Sequence, residues 1–502
     1  MAFDGIAVGE TMRIEVFDSL LDLTRRAGGD SDAPGHGIFR ALKRRGFDRA
    51  ARAWSLRAMV RFHGRSGPPI PRPGSRRAEI LFVSELSTPS TLEPSMLAAR
   101  SLPPGSFMVA CADPRSHRAW VKMGQRPHAL MLSVPEERRV LASATSSARE
   151  AWRAFNADPP AFTFRGLDVS RDVLRALGPL VVRSAPWLAV ERRALERTVE
   201  LVAPSCVVVA SDQHRIGRLT ATLRAHGGWR LVVLQHGLPQ DAIGYVPVVA
   251  DVVAVWSPAS TQWFVSHGTD PARLVETGNP RLDPLVRSNR MLVGAAAATE
   301  LGLAGRPRLL LALSGLSSEA SAAATRLVVD ALRRMPEATL VIKLHPGGGN
   351  WLPVRRIVDG IDATTKSRVR ILDRVRLDAM LSWADLVLVH RSSVAVEALA
   401  AGTPVAVADV GGQSIADLEL AGLDLPRVTS GSDLAATAGD LMEEAARLRY
   451  MSARGRQLEL VAGTLDGRSS DRVASLLLGR DAPTGEAAEL SSAVVQRPEV
   501  VD

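Results

Sequence analysis

The sequence predicts an α/β protein of two Rossmann-like, doubly wound domains facing one another across a cleft, with an extra N-terminal helical segment. Three observations carry that prediction. Short apolar runs alternate with helix-patterned stretches, as parallel strands joined by right-handed crossovers do. Several runs, DLVLV at 385–389 above all, lack the polar alternation of a half-exposed strand and read as strands covered on both faces. The runs end in His, Ser and Gly, the residues suited to a ligand crevice at the carboxyl edge of a sheet.

In chain order, residues 1–75 come first. The stretch Phe39–Arg65 sets Phe39, Leu42, Trp54, Ala58 and Phe62 at helical spacing among arginines. Such a helix packs on the following domain or lies on an anionic membrane surface. SGPPIPRPGS, Ser66–Ser75, is a linker by composition. Residues 76–287 form the first expected domain, with apolar runs beginning at Ile80, Phe107, Cys206, Leu231, Val252 and Leu274, and inserted helices over about 118–200. Residues 288–480 form the second, with runs beginning at Leu309, Thr339, Val369, Asp385 and Pro404. Residues 481–502 read as a disordered tail. A chain of 502 residues is too long for one core, which fits this division.

Composition narrows the class. The chain is 46% hydrophobic with a mean hydropathy of +0.05, and no run of about 18 apolar residues suggests a span. The start, MAFDGIAVGE, lacks the basic n-region of a secretory signal. Cys111 and Cys206 sit in strand-like runs and read as reduced, buried side chains, so a cytoplasmic protein, peripheral at most on the inner membrane face, is expected. The formal charge is +9, but lysine occurs only at 43, 122, 343 and 366, and so Arg-rich a chain reflects base composition as much as phosphate binding. With 4% aromatics and no interleaved basic and aromatic run of the kind single-strand binders use, nucleic acid is not an expected partner.

In the second domain, DLVLVHRSSVAVEALAAGTPVAV (385–407) delivers Ser392 and Ser393 from a buried strand to a helix N-terminus, where free N–H groups and the dipole favour phosphate. Glu397, one turn on, is placed to accept from ribose or sugar hydroxyls, unless it is simply a solvated helix charge. KLHPGG (343–348) ends a strand in His345, with Gly347 letting backbone approach a ligand and Lys343 in support. A histidine there suits a diphosphate leaving group.

In the first domain, QHG (235–237) offers His236 as a general base or phosphate contact. Asp212, His214 and Glu85, in neighbouring strand-end loops, are rival bases. GNPRLD (278–283) reads as the domain-crossing segment, with Arg281 aimed near the cleft and Asp283 as part of a hinge.

In order and spacing, QHG, GNPRLD, KLHP and SSVAVEALAAGTP resemble a GT-B glycosyltransferase-like protein over about residues 200–460. The nearest groups are the capsule-polysaccharide and CDP-glycerol glycerophosphotransferases and the bacterial sialyl- and polysialyltransferases. The resemblance implies a metal-independent transferase with no cofactor beyond a nucleotide-activated sugar or polyol as substrate. It implies His345, Ser392, Ser393, Gly347, Glu397 and Arg281 on the donor, and His236, His345 or Asp212 in catalysis. The acceptor would be a cell-envelope or capsular glycan, or a lipid-linked one. Glu397 departs from the glycerophosphotransferase pattern and favours a sugar donor. Two other readings remain: a sugar-nucleotide 2-epimerase, which HRSSVAVE fits poorly, and a donor-binding scaffold without a competent base.

Overall fold

The computed structural model describes residues 78–480 apart from 86–87, 165–166, 169, 225–226, 240–241, 243, 314–317, 345–350, 374–375, 391 and 411–422. The expected N-terminal helix, the tail, His345 and Gly347 therefore lie outside the described residues.

The first domain is a seven-stranded parallel sheet built from β1 (Ile80–Ser84), β2 (Phe107–Cys111), β3 (His128–Ala129), β6 (Cys206–Val209), β7 (Arg230–Leu234), β8 (Val252–Val255) and β9 (Leu274–Glu276). A separate antiparallel pair, β4 (Thr163–Phe164) and β5 (Leu167–Asp168), stands apart from it. The strand order is β3-β2-β1-β6-β7-β8-β9, so the winding reverses between β1 and β6. The second domain orders β10 (Arg308–Ala312), β11 (Thr339–Lys343), β12 (Val369–Leu372), β13 (Leu386–Val389), β14 (Val405–Ala408) and β15 (Arg427–Val428) as β12-β11-β10-β13-β14-β15. Its reversal falls between β10 and β13. Both sheets thus have a switch point, the place where open α/β sheets leave a crevice beyond the carboxyl ends of the strands.

Every residue of β13 is buried, as are Leu309–Leu311 of β10 and Leu340–Ile342 of β11. Helices cover both faces, so continuous apolar runs are the only stable choice for these strands. The inserted stretch is mostly helical, as expected: Val134–Ala157, Ser170–Pro179 and Ala185–Val202, pinned by a small core of Leu132, Val190 and Ala194. It also contains β3, whose two residues are too few to show a pattern in the sequence.

One expected boundary is corrected. The division at 287 and 288 assigns the final helix, Ser469–Leu477, to the second domain. Its side chains Val473, Ala474, Leu476 and Leu477 instead share a core with Ile80, Phe82, Val109, Val208 and Val232 of the first sheet. Two contacts secure the return. Gly463 has φ +79°, and a Cβ there would run into the Trp256 carbonyl, so only glycine lets the chain cross so closely. Asp283 is buried, and its Oδ1 accepts from Ser469 N–H at 3.0 Å while Oδ2 accepts from Ser470 N–H at 2.7 Å and Ser470 Oγ at 2.6 Å. The hinge reading of Asp283 is thereby given a concrete form: it caps the helix that ties the chain end back to the first domain.

Asp283→Ala leaves two helix-end N–H groups and a hydroxyl without their charged acceptor. The expected loss of stability is about 3 kcal/mol, read as a lower urea midpoint with an unchanged slope; an unchanged midpoint would mean that the cap contributes nothing.

Candidate functional site

The segment joining the domains sets the geometry of the site. Asn279 Oδ1 accepts from Arg281 N–H at 3.1 Å and caps the short turn Pro280–Leu282. That turn presents the Arg281 side chain to both domains at once. Its Nε donates to Glu93 Oε2 at 2.8 Å, on the first-domain helix Pro89–Arg100. Its Nη1 lies 2.5 Å from Glu397 Oε1, on the second-domain helix Val394–Ala400. Glu397 is only 3% exposed, so the solvated-charge reading does not hold. Burial raises its carboxyl above the usual carboxylate range, with Arg281 working against that and Glu93 adding to it. Burial pulls Arg281 down, but Glu397 and Glu93 outweigh it and hold the guanidinium charged. Lys343, at the carboxyl end of β11, joins the same cluster. Burial lowers its ammonium, Glu397 supports it and Arg281 opposes it.

Lys343 and Val389 stand in register on either side of Ala312, so β11, β10 and β13 end together along one edge. Beyond that edge come Leu344, leading toward His345, and the segment carrying Ser392 and Ser393. Ser392 Oγ accepts from Val394 N–H at 3.3 Å, a local cap of the helix start. Ser393 occupies the N-cap position, and its hydroxyl makes no cap bond. His390, two residues before Ser392, was not singled out by sequence reasoning. It is 3% exposed, and its Nδ1 lies 2.8 Å from the Ala408 carbonyl. A carbonyl can only accept, so Nδ1 carries the proton, and the buried Nε2 has no hydrogen-bond partner. The signal was present in HRSS, whose first residue directly follows the strand.

In the first domain, His236 is half-buried beyond β7. Its Nδ1 is 3.0 Å from the Ala210 carbonyl, and its ring stacks on Tyr245 with centroids 4.9 Å apart and planes 1° from parallel. The His214 ring lies 6.2 Å away. Burial, and secondarily His214, push the His236 imidazolium down to about 4. At neutral pH the ring is therefore uncharged, with its proton on Nδ1 and a lone pair on Nε2, the form a general base needs. Gln235 is structural: its Oε1 accepts from Trp256 N–H at 2.8 Å, and its Nε2 donates to the Gly237 carbonyl at 2.8 Å. A Cβ on Gly237 would sit 2.7 Å from the Tyr245 hydroxyl, so the close approach inferred there is made by this chain's own tyrosine.

Asp212 is corrected as a candidate base. It is buried, and its Oδ2 accepts from Val249 N–H at 2.7 Å and Ala250 N–H at 2.9 Å, while Oδ1 accepts from Gln213 Nε2 at 3.2 Å. Both oxygens brace the loop before β8 and neither is free to take a substrate proton. Glu85 is likewise engaged: Oε2 accepts from Ile216 N–H at 2.8 Å and Oε1 lies 3.1 Å from Arg215 Nη2. Arg215 also pairs with Glu191. Burial would lower the Arg215 guanidinium, but Glu191 and Glu85 more than offset it and raise it. Asp113 adds a third carboxylate to this charge cluster; its Oδ1 caps the helix Pro114–Lys122 and its buried Oδ2 has no hydrogen-bond partner. Among the described residues, no three His, Cys, Asp or Glu side chains converge as metal ligands.

Two parallel α/β sheets with switch-point edges, joined through an arginine that touches both domains, define a GT-B-like architecture. No family model and no curated protein matches the chain. Solved structures do. The UDP-GlcNAc 2-epimerase of Neisseria meningitidis bound to UDP-GlcNAc aligns with a TM-score of 0.52 at 12% identity, covering 80% of this chain and 100% of that one. Anabaena HepE in complex with UDP and glucose aligns at 0.50 and 16% identity, over 80% and 99%. The S. aureus MnaA–UDP structure aligns at 0.50 and 14% identity, over 81% and 100%. At these identities the likeness establishes the fold, which is the two-domain GT-B-like fold expected from the sequence.

His236 gives a pH test. Its folded-state value of about 4 lies below the usual 6.5, so between those values the unfolded chain binds more protons than the folded one. Stability therefore falls as pH drops through that window. Urea unfolding at pH 7 and pH 5 is expected to show a larger loss for wild type than for His236→Gln; equal losses would show that His236 titrates normally.

Proposed function

We propose that the chain is an enzyme acting on a nucleotide-activated sugar, and that its reaction is glycosyl transfer to a cell-envelope glycan or lipid-linked acceptor. The observation that carries this reading is the convergence of Lys343, Ser392, Ser393 and the Arg281–Glu397 pair at the switch-point edge of the second sheet. That edge is where this architecture takes its ligands, and the aligned structures named above hold UDP or a UDP-sugar. On this reading Ser393 and the chain through His345 and Gly347 hold the donor diphosphate. Glu397 accepts from donor hydroxyls, which favours a sugar over a phospho-polyol of the CDP-glycerol kind. The bond between the sugar and its phosphate breaks, its electron pair stays on the departing nucleotide, and positive groups at the edge stabilise that charge. His236 Nε2 takes the proton from the attacking acceptor hydroxyl. No metal or cofactor enters the proposal, and the enzyme works in the cytoplasm, where Cys111 and Cys206 remain reduced thiols.

A second reading, sugar-nucleotide 2-epimerisation, is favoured by one observation. Around Arg215 the first-domain edge carries Asp113 Oδ2 and Glu191 Oε2, buried carboxylate oxygens with no hydrogen-bond partner, whereas Glu85 is engaged through both oxygens.

A thermal-shift panel of UDP, CDP, CMP, GDP and TDP separates these readings from a simple scaffold. At 100 times its Kd, the matching nucleotide stabilises by about 2.7 kcal/mol, and His345→Ala combined with Ser393→Ala is expected to abolish the shift. Conversion of the matching UDP-sugar to its 2-epimer without acceptor would decide for the epimerase; binding with no turnover on any acceptor would decide for the scaffold. A flat panel from a folded protein would sink the nucleotide-sugar reading altogether.

A further inference from the structure

We propose that Arg290, Arg306 and Arg447 form an anion site for a phosphate group at the amino edge of the second sheet. Arg306 stands just before β10, Asp385 just before β13 and Gly402 just before β14. The candidate donor groups lie past the opposite ends of these strands, about 15 Å away for strands of four or five residues.

The cations converge on few acceptors. Arg290, opening the helix Arg290–Leu301, donates Nη1 to the Gly402 carbonyl and Nη2 to the Ala384 carbonyl at 3.0 Å. Arg447, from the helix Glu444–Ala462, donates Nη2 to the same Gly402 oxygen at 3.0 Å. Two guanidiniums thus share one carbonyl oxygen, and among the described residues neither forms an ion pair. Asp385 is the carboxylate whose charge supports both, and it is already filled. Its Oδ1 accepts from Arg306 Nη2, while Oδ2 accepts from Arg306 Nε at 3.1 Å and Arg308 N–H at 2.9 Å. Glu443 and Glu444, a turn before Arg447, are exposed and pair with neither arginine.

One cation suffices to cap the carbonyl end of the helix Val394–Ala400. The second is held beside the first with no anion between them. Burial first, then the charge of Arg447, pull the Arg290 guanidinium down to about 10, with Asp385 opposing and Arg306 adding to the fall. Burial lowers Arg447 as well, opposed by Asp385 and reinforced by Arg306. An anion placed among the three arginines relieves this repulsion. Among the described residues Arg447 spends only Nη2 on protein, so its Nε and Nη1 donors remain for a ligand. A guanidinium fork matches the oxygens of a phosphate. Large apolar side chains flank the pair: Met291 and Leu292 follow Arg290 and are 84% and 69% exposed, and Leu448 follows Arg447 at 62%. A lipid phosphate covers cations and apolar groups together, whereas inorganic phosphate covers the cations alone.

The test is calorimetric titration of the full chain with inorganic phosphate and with short-chain phosphatidic acid below its micelle concentration. Chloride at matched ionic strength is the control for screening. The wild type is expected to bind, and Arg447→Met to bind roughly ten-fold or more weakly. The same variant is expected to melt no lower than wild type, because it removes a repulsion along with one hydrogen bond. A role confined to capping Gly402 predicts the reverse, a lower melting temperature with unchanged phosphate affinity, and that result would overturn the proposal. So would a wild type that binds neither probe. His345→Ala combined with Ser393→Ala separates this site from the donor edge. Phosphate binding is expected to persist in that variant, and its loss would assign the phosphate to the donor edge and overturn the proposal. Tighter binding of phosphatidic acid, with the gain removed by Met291→Ser combined with Leu448→Ser, would identify the ligand as a lipid phosphate. Equal affinities would identify it as free phosphate.

Discussion

The guanidinium of Arg281 holds one carboxylate from each domain, and the rest of the site is arranged around that shared cation. Glu93 belongs to the helix after β1 and Glu397 to the helix after β13, so the double pairing fixes how the two switch-point edges stand relative to the linker. Arg281 and Glu397 are buried while Glu93 is half-exposed, so the arm to Glu397 is the obligatory one. A guanidinium and a carboxylate taken from water recover little net energy, but either left without its partner would be an uncompensated buried charge. Gly278, at φ +79°, and the Asn279 cap shape the turn that carries this side chain. Lys343 then adds a second cation beside Glu397.

The two sheets repeat a second device. His236 follows β7 and leans its Nδ1 on the carbonyl just beyond β6; His390 follows β13 and leans its Nδ1 on the last carbonyl of β14. Each neighbouring carbonyl fixes the tautomer and aims Nε2 away from the sheet. The environments then part the two rings. His236 is half-buried, stacked on Tyr245 and close to His214, whereas His390 is enclosed. One constellation gives a proton acceptor at the first edge, and the other gives an unpartnered nitrogen within the second.

Much of the fold was legible because parallel strands buried on both faces are written as uninterrupted apolar runs, and their ends as abrupt polar residues. The contacts that decide roles were not, because they depend on distant backbone. Asp212 looks the same in sequence whether it faces a substrate or, as here, two amide groups 37 and 38 residues downstream. Glu397 reads in sequence as a donor-side carboxylate or a solvated helix charge, and neither reading shows the Arg281 folded against it. Glu85, Glu191 and Asp113 come from three separated segments and share nothing visible except the arginine they surround. The last helix was misassigned for a related reason: Val473, Ala474 and Leu477 are equally apolar whichever sheet they join, and only the path through Gly463 decides.

That path also orders events in time. A ribosome releases the strands of the first sheet before any of the second, yet Ser469–Leu477 is part of the first sheet's covering layer. While the chain grows, the face formed by Ile80, Phe82, Val109 and Val208 lacks that wall, and the intervening domain can close its own core first. Of the two domains, the one begun first is finished last, and the nascent protein carries an open apolar flank until Ser469–Leu477 emerges.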